Sequence, residues 1–245
     1  MKDFKIQSIN YSFNFNPINN VPQKYIQNAE ILNKMHFSTP TILPIEQSVP
    51  NEVPIVIIKN DSFNAQIVIC KGSLSVSFPF QEDKQELIET CLMTICDFTE
   101  TIIDGDSNNI KFCGLSVSYL LEEDSAISSI KNGLLKLDNI SLNQDLCDID
   151  ITYTNAKDNH YYINKKIANT RIYTHPVDQR VFGFLKNDYK SALLLNIDVN
   201  NRYAYNNGIH LELSLKNEIK EIKKIAQESY DDTYKMLKGV IDDDD

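Results

Sequence analysis

The chain has 245 residues, 42% of them hydrophobic and 24% charged, with a formal net charge of −10. That balance excludes a wholly disordered chain, since there is enough apolar surface to offset the entropy of folding. It also excludes a general affinity for phosphate backbones or anionic lipid, which needs a cationic surface.

Ile9, Tyr11, Phe13 and Phe15 alternate with Asn10, Ser12, Asn14 and Asn16, the period of a half-buried strand that Pro17 ends. Pro22 stands where helices begin, and Tyr25, Ile26, Ala29, Ile31, Leu32 and Met35 follow at helical spacing. Pro40, Pro44, Pro50 and Pro54 make 37–54 an extended connector with no element of its own. A three-stranded meander is predicted next, over 55–59, 63–70 and 73–80, with turns at Asn60-Asp61 and Lys71-Gly72. Leu74, Val76, Phe78 and Phe80 form the buried face of its third strand. Asp83 and Glu86 resemble a capping pair for a helix over 83–103, whose apolar stripe is Leu87, Cys91, Ile95, Phe98 and Ile102.

The strand predicted over 110–121 changes its buried parity from Ile110 and Phe112 to Leu115, Val117 and Tyr119. Gly114 lies at the change, which predicts a β-bulge there. Strand, helix and strand in this order allow a crossover within a mixed sheet. A shorter helix over 125–137 follows, then a strand over 149–153, a turn over 155–159, a hairpin of strands 160–167 and 169–174, and a short strand over 181–185. Leu193, Leu195, Ile197 and Val199 alternate, with Ala192 and Leu194 apolar on the other side, so this strand is expected to be central and buried on both faces. The last helix spans about 211–241, with a stripe of Leu215, Ile219, Ile222, Ala226, Tyr230 and Leu237. Its Lys216, Lys220, Lys223 and Lys224 are balanced by Glu218, Glu221, Glu228 and Asp231. At about 1.5 Å per residue it is longer than a small domain is wide, so one end is expected to reach a second subunit.

The fold class that follows is α+β: mixed, mainly antiparallel sheets from two meander-and-helix halves with a long C-terminal helix. Four segments are expected: 1–54 (strand, helix and Pro-rich connector), 55–140 (first half), 141–241 (second half) and an acidic, solvated tail at 242–245. The halves share an outline, although no repeat is visible residue by residue. Neither a secretory signal nor an apolar run of about 18 residues is present in the sequence, which points to a cytoplasmic protein with no membrane span. The abundance of Asn, Ile and Lys suits an AT-rich bacterial or phage genome.

Two stretches carry a resemblance. One runs Gly72-Ser73-Leu74-Ser75-Val76-Ser77-Phe78, then the helix, then Cys113-Gly114-Leu115-Ser116-Val117-Ser118-Tyr119. The other is Leu193-Leu194-Leu195-Asn196-Ile197-Asp198-Val199, leading to the helix that holds Tyr230 and Tyr234. In this order, over roughly 55–241, the chain resembles a family of sporadically distributed, uncharacterised bacterial proteins of similar length. The resemblance implies an α+β fold and no activity.

Chemical motifs are few. Cys70, Cys91, Cys96, Cys113 and Cys147 are odd in number, lie mostly among apolar residues, and lack CxxC spacing, so they are expected to be reduced core thiols. Asp104, Asp106 and Asn108 resemble the start of a calcium loop, but Asn109 and Leu115 occupy the positions that need Gly and Glu. His36, His160, His175 and His210 are scattered, and no metal or cofactor is expected. The three arginines, Arg171, Arg180 and Arg202, fall in one stretch with His175 and Asp178. Guanidinium groups on neighbouring strands would make an anion-binding or interface patch; internal pairing with Asp178, Asp188 or Asp198 is the plainer alternative.

These features point first to a non-catalytic protein-binding or regulatory protein, with a role in phage–host conflict as one setting. It would have a protein partner, and self-association through the last helix is a further expectation. Two alternatives stay open: an enzyme with a dispersed site around His175, Asp178 and Arg180, and a nucleic-acid binder using the lysines of the last helix.

Overall fold

The computed structural model describes residues 4–37, 40–44, 49–60, 62, 64–80, 82–103, 109–133, 148–173, 189–209 and 214–241. The alternating segments become strands β1 (Lys5–Phe15), β2 (Pro40–Ile42), β3 (Val56–Asn60), β4 (Ala65–Ile69), β5 (Ser73–Pro79), β6 (Ile110–Glu122), β7 (Asp150–Lys157), β8 (Tyr161–Tyr173) and β9 (Tyr189–Asn200). Segments with helical spacing become α1 (Val21–Asn33), α2 (Gln85–Ile102), α3 (Ala126–Gly133) and α5 (Leu215–Ile241); a short α4 (Arg202–Asn206) was not signalled. The strands join one sheet in the order β2-β3-β4-β5-β1-β6-β9-β8-β7. Every pairing is antiparallel, so the sheet is not mixed, but β5 and β6 flank β1, run parallel to each other and are joined across it by α2 as a crossover.

This order contains a repeat. With β2 and α4 set aside, the series β1-α1-β3-β4-β5-α2 has the same topology as β6-α3-β7-β8-β9-α5. Each series lays its strands out in the same sense from its first strand, and the two first strands pair antiparallel at the sheet centre. The seam between halves therefore falls between α2 and β6, rather than near residue 140, and the arrangement has a pseudo-two-fold axis through the β1–β6 pair.

One sheet face is apolar. Tyr11, Phe13 and Phe15 of β1 share it with Leu74, Val76 and Phe78 of β5, Leu115, Val117 and Tyr119 of β6, and Leu195, Ile197 and Val199 of β9, all at most 5% exposed. Burying side chains of this size contributes about 1.5–3 kcal/mol each. The other face is polar and partly exposed. A cross-strand row there runs Ser77, Asn10, Ser116, Asp198, Asn164 and Thr154. Asp198 accepts from Asn164 Nδ2 at 2.7 Å and Asn200 Nδ2 at 2.6 Å, and Thr154 Oγ1 donates to Asn164 Oδ1 at 2.7 Å.

Several expectations change. The Pro-rich connector contributes β2, an edge strand paired with β3, and Pro40 at its first position is where a missing N–H is tolerated. Where a hairpin was expected over 160–174, Tyr161–Tyr173 is one strand, because β9 pairs with it without a break from Tyr162 to Tyr173. The turn is instead over Asp158-Asn159-His160, between the paired Lys157 and Tyr161, with φ of 54° and 51° at Asp158 and Asn159 and the His160 N–H bonded to Lys157 O. Asp83 does not cap α2; a 3-10 turn over Glu82–Lys84 leads in, and no side chain bonds the N-terminus. This start sets the helix phase so that Ile88 is buried and Leu87 is 41% exposed.

The register shift in β6 is at Lys111, where Asn14 pairs with Phe112 and Phe15 with Ile110, and not at Gly114, which pairs with Ser12 in unbroken register. Gly114 is needed for a different reason. A Cβ there would lie 2.9 Å from the Asn200 Cβ and 3.2 Å from Val199 O. Gly114→Ala is expected to cost about 1–2 kcal/mol by forcing β6 and β9 apart, read as a lowered denaturation midpoint with unchanged m-value. An unchanged midpoint would rule out the close approach.

Candidate functional site

α2 and α5 run antiparallel over the apolar face. Leu215 N donates to Glu100 Oε1 at 3.1 Å, Lys216 pairs with Asp97, and seven to eight residues further from that end Lys223 pairs with Glu89 at 2.5 Å. Their spacing keeps apolar side chains inward, at i, i+3, i+4 and i+7 in α2 (Ile88, Cys91, Leu92, Ile95) and at i, i+4, i+7 and i+11 in α5 (Leu215, Ile219, Ile222, Ala226).

Between the helices lies a cleft of about 650 Å³, its open mouth included. Only about 120 Å³ of that is cavity proper, less than the roughly 300–1,000 Å³ of drug-sized ligand pockets. Its floor is the β1–β6 pair: Ile6, Ile9 and Tyr11 from one strand, Leu115, Val117 and Tyr119 from the other. Its walls repeat a pattern, with Gln85, Ile88 and Glu89 from α2 facing Lys223, Ala226 and Gln227 from α5. Each helix supplies positions i, i+3 and i+4, so the cleft sits on the pseudo-two-fold axis of the fold.

The two tyrosines give the cleft its chemistry. Tyr11 is 4% and Tyr119 is 5% exposed, and both line the cleft. Burial raises the pKa of both, with the Glu89 carboxylate adding to the effect on Tyr11 and Tyr230 adding to that on Tyr119. Both phenols are therefore neutral hydrogen-bond donors across the physiological range. The Lys223–Glu89 pair at the wall is about a third to a half exposed. A pair so placed is weak and opens easily.

A second polar cluster pins the start of α5. Glu218 is 1% exposed and accepts from Asn201 Nδ2 at 3.0 Å, with His160 Nε2 at 3.6 Å. Burial first, then the Glu218 carboxylate, raise the pKa of Tyr161, which hydrogen-bonds it. Asn201 Oδ1 in turn accepts from Cys113 N at 2.7 Å. Donors and acceptors are matched here, which marks a structural joint between β6, β8, β9 and α5.

The residues singled out from sequence lie elsewhere. Arg171, on β8, pairs with Asp148 at 3.0 Å and lies over the Tyr189 ring. Arg202 opens α4 and lies over the Phe112 ring at 5.5 Å. They stand at opposite ends of β9, since Arg171 faces Ser191 and Arg202 follows Asn200. His175, Asp178 and Arg180 lie outside the described residues, as do Cys147, the 104–108 loop, the 181–185 strand and the 242–245 tail. Of the α5 lysines, Lys216, Lys223 and Lys224 each have a carboxylate partner, which leaves little of a cationic strip.

Cys70, Cys91, Cys96 and Cys113 are buried and free; burial pushes the thiols of Cys91 and Cys96 up to about 12, so they pack as neutral groups. No group of three or more His, Cys, Asp or Glu among the described residues is arranged around a metal position, and no described helix is long and apolar enough to cross a membrane. No protein-family model matches the chain, and no curated protein sequence is similar to it.

Proposed function

We propose that this is a non-catalytic binding protein that takes an apolar segment of a partner protein in the cleft between α2 and α5. The observation that carries the reading is the apolar-floored cleft between two helices, lined by two neutral phenols. A site of this kind offers burial for apolar side chains and neutral donors for a few polar atoms. Its tyrosines hold their protons too tightly to act as bases near neutral pH, which favours recognition over proton transfer.

The test is capture on an array of short peptides of graded hydropathy, using the whole chain and an Ala226→Trp variant whose indole fills the cleft. The expected result is capture concentrated on peptides rich in Leu, Ile, Phe and Val, and loss of that capture in the variant, with its helical circular dichroism retained. Capture spread evenly over the array, or unchanged by Ala226→Trp, would refute the proposal.

A further inference from the structure

We infer that the outer edge of β7 pairs with β7 of a second copy of this chain, antiparallel about a two-fold axis at Thr152, so that one nine-stranded sheet continues into the other. This pairing does not depend on the α2–α5 cleft, whose floor lies at the sheet centre.

The internal repeat indicates what this edge accepts. β7 is the counterpart of β3, and the outer edge of β3 takes an antiparallel strand, β2. β7 ends the sheet, with no strand on its outer edge among the described residues. Asn169 N donates to Ile149 O at 3.1 Å, so Ile149 and every second residue after it direct their backbone groups to β8. Those of Asp150, Thr152, Thr154 and Ala156 therefore point away from the sheet. Such a row of N–H and C=O groups is a template for another strand.

Edges that stay unpaired carry a device against pairing, and the middle of β7 carries none. From Ile151 to Ala156 it has no charge, proline or register shift. β2, at the opposite edge, is three residues long and opens on Pro40. Pairing therefore closes at two copies instead of running on as a fibre.

β7 is also complementary to itself. Ile151 and Tyr153 pack against the core on the helix side, while Thr152 and Thr154 are exposed on the polar side. With Thr152 on the axis, Ile151 faces the partner's Tyr153, and Asp150 faces the partner's Thr154. An aliphatic side chain then meets a ring, and a carboxylate meets a hydroxyl, on both sides of the axis. Registers centred on Tyr153 or Thr154 set Asp158 opposite the partner's Asp148 or the partner's Asp150, and like charges so placed repel. A register centred on Ile151 pairs fewer residues. Asp150 and Lys157 cancel within the strand, so the edge itself adds no repulsion between two copies of a chain whose net charge is −10.

Sedimentation velocity of the whole chain over a micromolar concentration series tests this. Twice the chain mass is expected at the top of the series, falling on dilution. Thr152→Pro removes an outward N–H and leaves every β7–β8 bond in place. Thr152→Lys changes only an exposed side chain and brings two ammonium groups together at the axis. Each is expected to weaken the dimer about tenfold or more, with its circular dichroism retained. Should Thr152→Pro fail to fold, Thr152→Lys alone decides.

A wild-type chain that stays monomeric would overturn the inference. So would a dimer that Thr152→Lys leaves as tight, since it would be built on another surface. Hydrogen exchange gives the last check. Slow exchange of the Thr152 and Thr154 amides is expected in the dimer only, and slow exchange in a monomer would overturn the inference by showing that the edge is covered from within one chain.

Discussion

Glu218→Ala is expected to lower the unfolding free energy by about 3–5 kcal/mol, the loss typical of removing one member of a buried polar group that others depend on. The carboxylate is almost wholly inaccessible and has three neighbours aimed at it: the Asn201 amide, the Tyr161 phenol and His160. Alanine would leave the first two as buried donors without an acceptor, and would free Asn201 to lose its bond from Cys113 N. That bond ties the turn after β9 to the start of β6. Glu218→Gln keeps one acceptor oxygen and is expected to cost much less, about 1–2 kcal/mol. Urea unfolding followed by circular dichroism measures both. A loss below about 1 kcal/mol for the alanine variant would show that the joint does not hold the start of α5.

Strands with strict alternation were legible in the sequence to within a few residues: β1, β5 and β9 each show a buried row of Leu, Ile, Val, Phe or Tyr against Ser and Asn. What could not be read was anything set by a distant neighbour. The three residues of β2 carry too short a pattern to signal a strand, and pair only because β3 offers a free edge. The 160–174 stretch reads as two strands at Ala168-Asn169. Asn169 instead stays in the ladder, facing Leu193, while its side chain accepts from Ile149 N. The parity change in β6 was visible, but Gly114 drew the bulge to itself. Its true reason is the approach of β9, about eighty-five residues away in sequence.

The cleft was legible only in part. Tyr11 and Tyr119 stood in alternating rows and were read as core rings, which they are. Nothing local tells that they also line a cleft, because that depends on β1 pairing with β6 and on two helices from different halves flanking the pair. Ala226 was the nearest signal, a small residue in the middle of an otherwise bulky stripe. The arginine cluster misled for a simple reason. Closeness in sequence along a strand is distance in space, and β9, at about 3.3 Å per residue, separates the Arg171 and Arg202 ends by about 30 Å.

Lys165→Met is expected to stabilise the protein, on the order of 1–3 kcal/mol at neutral pH, because several kcal/mol of ion desolvation are removed and only two hydrogen bonds are lost. Lys165 is 8% exposed on β8, beneath α5, and its Nζ donates to Ser229 O at 3.1 Å and Thr233 Oγ1 at 3.0 Å. Both acceptors are neutral. Thr233 Oγ1 also donates to Ser229 O at 2.8 Å, so methionine leaves neither group without a partner. Burial lowers the Lys165 pKa from its ordinary 10.5, and Asp232 only partly opposes this. The folded state therefore releases the proton more readily than the unfolded state, and stability rises with pH between the folded-state pKa and about 10.5. Below that window both states carry the charge and the penalty is complete. The advantage of the methionine variant should thus be full at pH 7 and shrink as pH rises through the window. Paired urea titrations at pH 7 and pH 10 would test this, and a variant less stable than wild type at pH 7 would mean that the ammonium anchors α5 more than its burial costs.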